Sequence, residues 1–91
     1  ILSFKTFDEV IERANDNDLG LCSYIYTNSM DKAHIGSEKL ESGCVAVNTG
    51  VVALAEAPFG GIKQTGYGRE GGSGAIKDYL NVKYTHMGLK I

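Results

Sequence analysis

The sequence predicts an α/β fold with parallel strand pairing. Two β-rich runs, residues 21–27 (LCSYIYT) and 44–48 (CVAVN), flank a segment of helical character, and a strand–helix–strand order carries the chain back to lay its second strand parallel to the first. An amphipathic stripe with its own capping signal precedes the first run. The third observation is a long loop, residues 49–69, rich in glycine but carrying the apolar run 51–55.

Residues 1–5 are β-rich and are expected to form a leading strand. Thr6 stands as an N-cap with Glu9 three residues on, the spacing at which the carboxylate answers the N-cap's own N–H. Phe7, Val10, Ile11 and Ala14 follow i, i+3, i+4, i+7 and give one buried helical face. Asp8 and Glu9 suit the positive end of the helix dipole, and the polar residues 15–18 with Gly20 end the helix. In 21–27, alternation puts Tyr24 and Tyr26 opposite Leu21, Ser23 and Ile25; a packed strand face is preferred to a tyrosine-lined site.

Asn28 or Ser29 caps a second helix over 30–41, with Met30, Ala33, Ser37 and Leu40 inward and Gly43 as its C′ stop. Beyond the loop, 70–80 reads as a glycine-weakened helix that buries Ile76, Tyr79 and Leu80. Residues 81–86 alternate, with Val82 and Tyr84 on one face, and the tail 87–91 is apolar. An apolar last strand suits pairing to a sheet edge, in this chain or another subunit. The division is therefore 1–80 as one part, with its loop at 49–69, and 81–91 as a terminal assembly strand and tail.

Ninety-one residues allow one small domain or part of a larger one. A net charge of −2, without blocks of either sign, argues against nucleic acid or an anionic membrane as partner. No apolar run approaches the roughly 20 residues that span a bilayer, and no signal peptide is visible. A cytoplasmic setting is expected, or a mitochondrial one if a targeting segment lies upstream. Cys22 and Cys44 make neither a disulfide framework nor a metal site and are read as small hydrophobes in strands. His34 has no metal-ligand partners in sequence.

The loop carries the functional signal. Residues 48–70 hold the only proline, Pro58, and five of the twelve glycines, and a long apolar loop is usually a binding loop or disordered. Mobility is expected over 51–65. Gly66 to Gly71 matches G-x-G-x-x-G literally but lacks the preceding strand and the acidic residue about twenty positions on that a dinucleotide fingerprint needs. Lys63 and Arg69 suit an anionic substrate less well than a role holding the loop through carbonyls or Glu70. Glu56 and Glu70 have no fixed spacing for acid–base work. Asn48, at a strand end, is expected to hydrogen-bond turn backbone.

Asn48-Thr49-Gly50, Pro58-Phe59-Gly60-Gly61-Ile62-Lys63 and Thr65-Gly66-Tyr67-Gly68-Arg69-Glu70 resemble the C-terminal region of NAD(P)-dependent aldehyde dehydrogenases, and most closely the succinate-semialdehyde dehydrogenases. The likeness runs from Phe4 to about residue 89. It implies a C-terminal part of the catalytic domain of a longer enzyme, which oxidises an aldehyde through a cysteine thiohemiacetal and thioester, with an oxyanion held by an Asn amide and a backbone N–H.

By that resemblance the catalytic cysteine and glutamate and the NAD or NADP contacts lie upstream. No catalytic, cofactor or metal residue is expected in this chain, and the chain alone should be inactive and bind no cofactor. Val51, Val52, Ala53 and Phe59 would wall the aldehyde pocket, and residues 81–91 would join a dimer or tetramer. The resembled enzymes carry a serine where Ala53 stands, which removes one hydroxyl donor for a distal carboxylate. Succinate semialdehyde or another small aliphatic aldehyde is the expected substrate. Two rival readings are a non-catalytic interaction module and an autonomous phosphate-binding protein.

Overall fold

The computed structural model describes residues 1–90. In chain order the elements are α1 (Phe7–Asn15), β1 (Leu19–Gly20), β2 (Cys22–Ile25), α2 (Met30–Lys39), β3 (Cys44–Val47), β4 (Ile62–Lys63) and a 3₁₀ turn over Ala75–Tyr79. β2 and β3 pair in parallel, with Cys22 opposite Cys44 and Ile25 opposite Val47. The α/β class and its parallel pairing are as the sequence predicts. β1 and β4 form a separate two-residue antiparallel ladder, Leu19 opposite Lys63 and Gly20 opposite Ile62.

Helix α1 begins where Thr6 caps it: the Thr6 side chain accepts from the Glu9 N–H at 3.2 Å. Glu9 reaches back to the Lys5 N–H at 2.8 Å rather than to that of Thr6, so the expected box closes one residue further out. Its other oxygen takes Arg13 at 3.1 Å. Ser29 caps α2 by accepting from the Lys32 N–H at 3.3 Å. Asn15 ties the two helix ends together, donating to the Lys39 carbonyl and accepting from the Glu41 N–H, each at 2.9 Å.

The helices meet the sheet where Phe7, Ile25 and Gly36 converge. A Cβ on Gly36 would stand 2.8 Å from Ile25 Cδ1 and 3.4 Å from the Phe7 ring. Glycine in mid-helix costs about 1 kcal/mol relative to alanine, and here it is what permits the close approach. Gly43 performs the same service for the loop, because a Cβ there would overlap the Gly60 carbonyl.

Three expectations are corrected. Residues 1–5 form no ladder and stay exposed, since a strand needs a partner and none lies beside them among the described residues. The helix expected over 70–80 shrinks to Ala75–Tyr79, because Gly71 and Gly72 take φ of 68° and 67°, outside the helical basin. Ile76, Tyr79 and Leu80, expected to be buried, are exposed. Residues 81–90 carry no ladder within this chain, and Ile91, the end of the expected assembly strand, lies outside the described residues.

The interior is thin. Ile11 and Ala46 alone among apolar side chains of the described residues count as buried, and no large side chain is wholly enclosed. The radius of gyration is 19.1 Å, against about 12 Å for a compact chain of this length. The accessible surface is 7715 Å², against roughly 5,200 Å² for a folded monomer of this mass.

Candidate functional site

Asn48 sets the direction in which the chain leaves the sheet. It sits at φ 55° just after β3, its Oδ1 accepts from the Thr27 N–H and its Nδ2 donates to the Thr27 carbonyl, both at 2.9 Å. Its own N–H donates to the Ile25 carbonyl at 2.8 Å. Asparagine tolerates the left-handed basin better than other residues with a Cβ, and the paired amide contact holds it there. This is the turn-backbone role that the sequence suggests.

The loop then closes on itself. Phe59 and Glu70 exchange two backbone hydrogen bonds, at 2.7 and 2.8 Å, and the Gly72 N–H donates to the Ala55 carbonyl at 2.9 Å. Between these ties lies a shallow depression of about 280 Å³ lined by Ala53, Leu54, Ala55, Phe59, Glu70 and Gly71. Of the four residues expected to wall a pocket, Ala53 and Phe59 meet there. Val51 is exposed and Val52 half-buried on the run that leads in, and neither lines the depression. Glu70 is the one charged residue among the six, so they alone offer no cation to an anionic guest.

Both loop cations are occupied with backbone. Arg69 Nη1 donates to the carbonyls of Gly61 and Gly68, each at 2.8 Å. Lys63 Nζ reaches Glu41 Oε2 at 2.6 Å and the carbonyls of Asn15 and Asn17 at 2.9 and 3.2 Å. Lys63 holds φ at 56°, a conformation that costs an L-residue about 1–2 kcal/mol. The ammonium therefore locks a strained backbone onto the end of α1. The loop-holding role suggested by the sequence stands, whereas the partners Glu41 and Asn15 and the β1–β4 ladder they support were not foreseen. The only sequence hint was the end of α1 itself, where the last carbonyls lack partners within the helix.

The chemistry available follows from this geometry. Residues 66–71 are irregular backbone with two bends and the Glu70 bridge, and no α-helix opens on them, so they do not present the array of N–H groups that would cradle a dinucleotide phosphate. They do not fit such a cofactor. His34 pairs with Glu38 at 3.6 Å on the outer side of α2, and no group of three His, Cys, Asp or Glu gathers around one point among the described residues. Burial, followed by the nearness of Cys44, holds the Cys22 thiol above its ordinary range. No helix among those residues is long and apolar enough to cross a membrane. What the loop offers is the shallow depression beside Ala53 and Phe59.

A family model described as the aldehyde dehydrogenase family matches residues 1–85. A succinate semialdehyde dehydrogenase of Acinetobacter baylyi is 47% identical over 88 residues, covering 97% of this chain and 18% of that protein. A 3-sulfolactaldehyde dehydrogenase of Pseudomonas putida is likewise 47% identical, with the same coverage of each. Among solved structures, an NADP-dependent enzyme of E. coli superposes with a TM-score of 0.90 at 44% identity, over 97% of this chain and 18% of that one. This chain thus spans about 18% of the length of these relatives. With a match across nearly all its residues in sequence and in fold, the chain belongs to the aldehyde dehydrogenase family.

Proposed function

We propose that the whole protein oxidises a small aldehyde bearing a distal acid group, such as succinate semialdehyde, to the carboxylic acid with NAD or NADP as acceptor. The aldehyde is captured as a thiohemiacetal on a cysteine outside this chain and leaves by hydrolysis of a thioester. This chain supplies part of the wall of the aldehyde pocket, with Ala53 and Phe59 at its surface and Val51 and Val52 on the approach. Residues 81–91 serve as an assembly strand towards a second copy, in a dimer or tetramer. The setting is the cytoplasm, or the mitochondrion where a targeting segment lies upstream.

The observation that carries this reading is the joint one: the family match spans the loop, and the loop's own ties bring Ala53 and Phe59 to one depression. The named substrates of two relatives, succinate semialdehyde and 3-sulfolactaldehyde, each join an aldehyde to an anionic group, which favours a substrate of that kind. The exposed side chains of Val82, Tyr84 and Leu89 support an assembly role for the last segment. The cofactor contacts are assigned to polypeptide outside this chain, a reading that the irregular backbone of residues 66–71 supports.

The test is Ala53→Ser in the whole enzyme. A restored hydroxyl donor to a carboxylate is worth about 1.5–3 kcal/mol, roughly 10- to 150-fold in kcat/KM at about 1.4 kcal/mol per decade. Turnover of succinate semialdehyde should rise by that factor relative to an uncharged aldehyde of equal length. An unchanged ratio removes Ala53 from the pocket wall; failure of the parent enzyme to reduce NAD or NADP with any aldehyde removes the activity itself.

A further inference from the structure

We propose that Cys22 and Cys44 form a cross-strand dithiol that a peroxide closes into a reversible disulfide. The two residues are direct partners in the β2–β3 ladder, and opposed residues of parallel strands project to the same face. Their Cα atoms are then separated by the strand spacing, about 4.8 Å, inside the window of about 4.4–6.8 Å that a disulfide bridges. Both thiols are free and only partly buried. Burial and the adjacent Cys44 both push the Cys22 thiol up, in keeping with that register.

Competition favours the same conclusion. The polar contact that Cys44 makes is a weak one, its Sγ lying 3.8 Å from the Gly60 carbonyl, and it does not hold the thiol away from its neighbour. The proposal is independent of the aldehyde chemistry.

The step balances with hydrogen peroxide as oxidant. One sulfur, as thiolate, attacks a peroxide oxygen; the O–O bond breaks, and the departing hydroxide takes up the proton that this thiol shed. The resulting sulfenic acid is attacked by the second sulfur, the S–S bond forms, and the sulfenic hydroxyl leaves with the second thiol's proton as water. Two thiols lose two electrons and the peroxide becomes two waters. A dithiol reductant reopens the bond by thiol–disulfide exchange through a mixed disulfide.

The experiment treats the full-length protein carrying this chain with hydrogen peroxide, alkylates the remaining thiols, digests without reduction and maps the peptides by mass spectrometry. A peptide linking Cys22 to Cys44 is expected, lost on treatment with dithiothreitol and absent from Cys22→Ala, in which Cys44 is recovered as a sulfenic or more highly oxidised form. Recovery of both cysteines as alkylated thiols, or as separately oxidised residues without the linked peptide, overturns the proposal. The wild-type map decides this by itself if the variant does not fold.

Discussion

Replacing Lys63 with methionine keeps the aliphatic stem and removes the ammonium that pins β4 to the end of α1. The Nζ of Lys63 reaches one carboxylate and two carbonyls, and the side chain is 24% exposed. Hydrogen bonds to a charged group contribute about 1.5–3 kcal/mol. The half-exposed partner Glu41 adds at most about 1 kcal/mol, and water can satisfy part of what the released carbonyls lose. A local cost of about 2–3 kcal/mol follows, which raises the population of the opened β1–β4 ladder roughly 30- to 150-fold. Amide hydrogen exchange of the whole protein reads this at two sites: the Gln64 N–H, which donates to the Asp18 carbonyl at 2.9 Å, and the Gly20 N–H, which donates to Thr65 Oγ1 at 2.9 Å. Lys63→Gly and Lys63→Ala separate the second effect, because both lack the ammonium but only alanine keeps the strain of φ 56°. Glycine should be the better protected by about 1 kcal/mol. Unchanged exchange at both amides in the methionine variant would refute the anchor, and a glycine variant no better than alanine would refute the strain.

Asn48→Ala removes two side-chain hydrogen bonds to Thr27 and leaves a β-carbon residue at φ 55°; a loss of about 2–4 kcal/mol in urea unfolding is expected, with Asn48→Gly intermediate, and a loss below about 0.5 kcal/mol for alanine would contradict the account. Glu9 is held below its ordinary carboxylate range, first by the Lys5 N–H and also by Arg13. Since the folded value lies below the unfolded one, its contribution is present above the unfolded pKa and is lost as pH falls through the folded value. The stability gap between wild type and Glu9→Gln should therefore be flat near neutrality and narrow on acidification past about pH 4.3; a pH-independent gap would contradict this. In the isolated chain, the amides of residues 51–56 should exchange faster than those of Phe59, Gln64 and Glu70, which are hydrogen-bonded to backbone; equal protection along the whole loop would show that the ties do not hold.

The helices and the parallel pair were legible because their causes are local. Thr6 caps its own helix, Ser29 caps the next, and Phe7 and Ile11 lie on one stripe whatever the rest of the chain does. Asn48 was legible for the same reason, as a strand-end asparagine turning onto nearby backbone. The β1–β4 ladder was not, since it joins Leu19 to Lys63 across most of the fold in only two residues and leaves no periodicity to detect. The final helix was over-read because the apolar spacing of Ile76, Tyr79 and Leu80 outweighed Gly71 and Gly72, whose positive φ decides where a helix can begin. At the site, motif order marked the loop, but it takes the Phe59–Glu70 bridge and the Gly72–Ala55 tie to bring Ala53 and Phe59 to a shared depression that Val51 and Val52 do not line.

The over-reading and the thin interior have one physical source. The chain exposes 7715 Å², roughly 2,500 Å² more than a compact monomer of its mass. A standard protein–protein interface takes only about 800 Å² from each partner, so a single docking contact would leave most of the excess uncovered. Covering on several sides is needed. Phe4, Leu54, Ile76, Tyr79 and Val82, all exposed, are spread from one end of the chain to the other, as for a segment packed within a larger domain. A sequence that spans about 18% of its relatives' length carries apolar patterning suited to those contacts. Residues 1–5, 70–80 and 81–90 therefore read as strand or buried helix, although the surfaces that would complete them are not supplied by this chain.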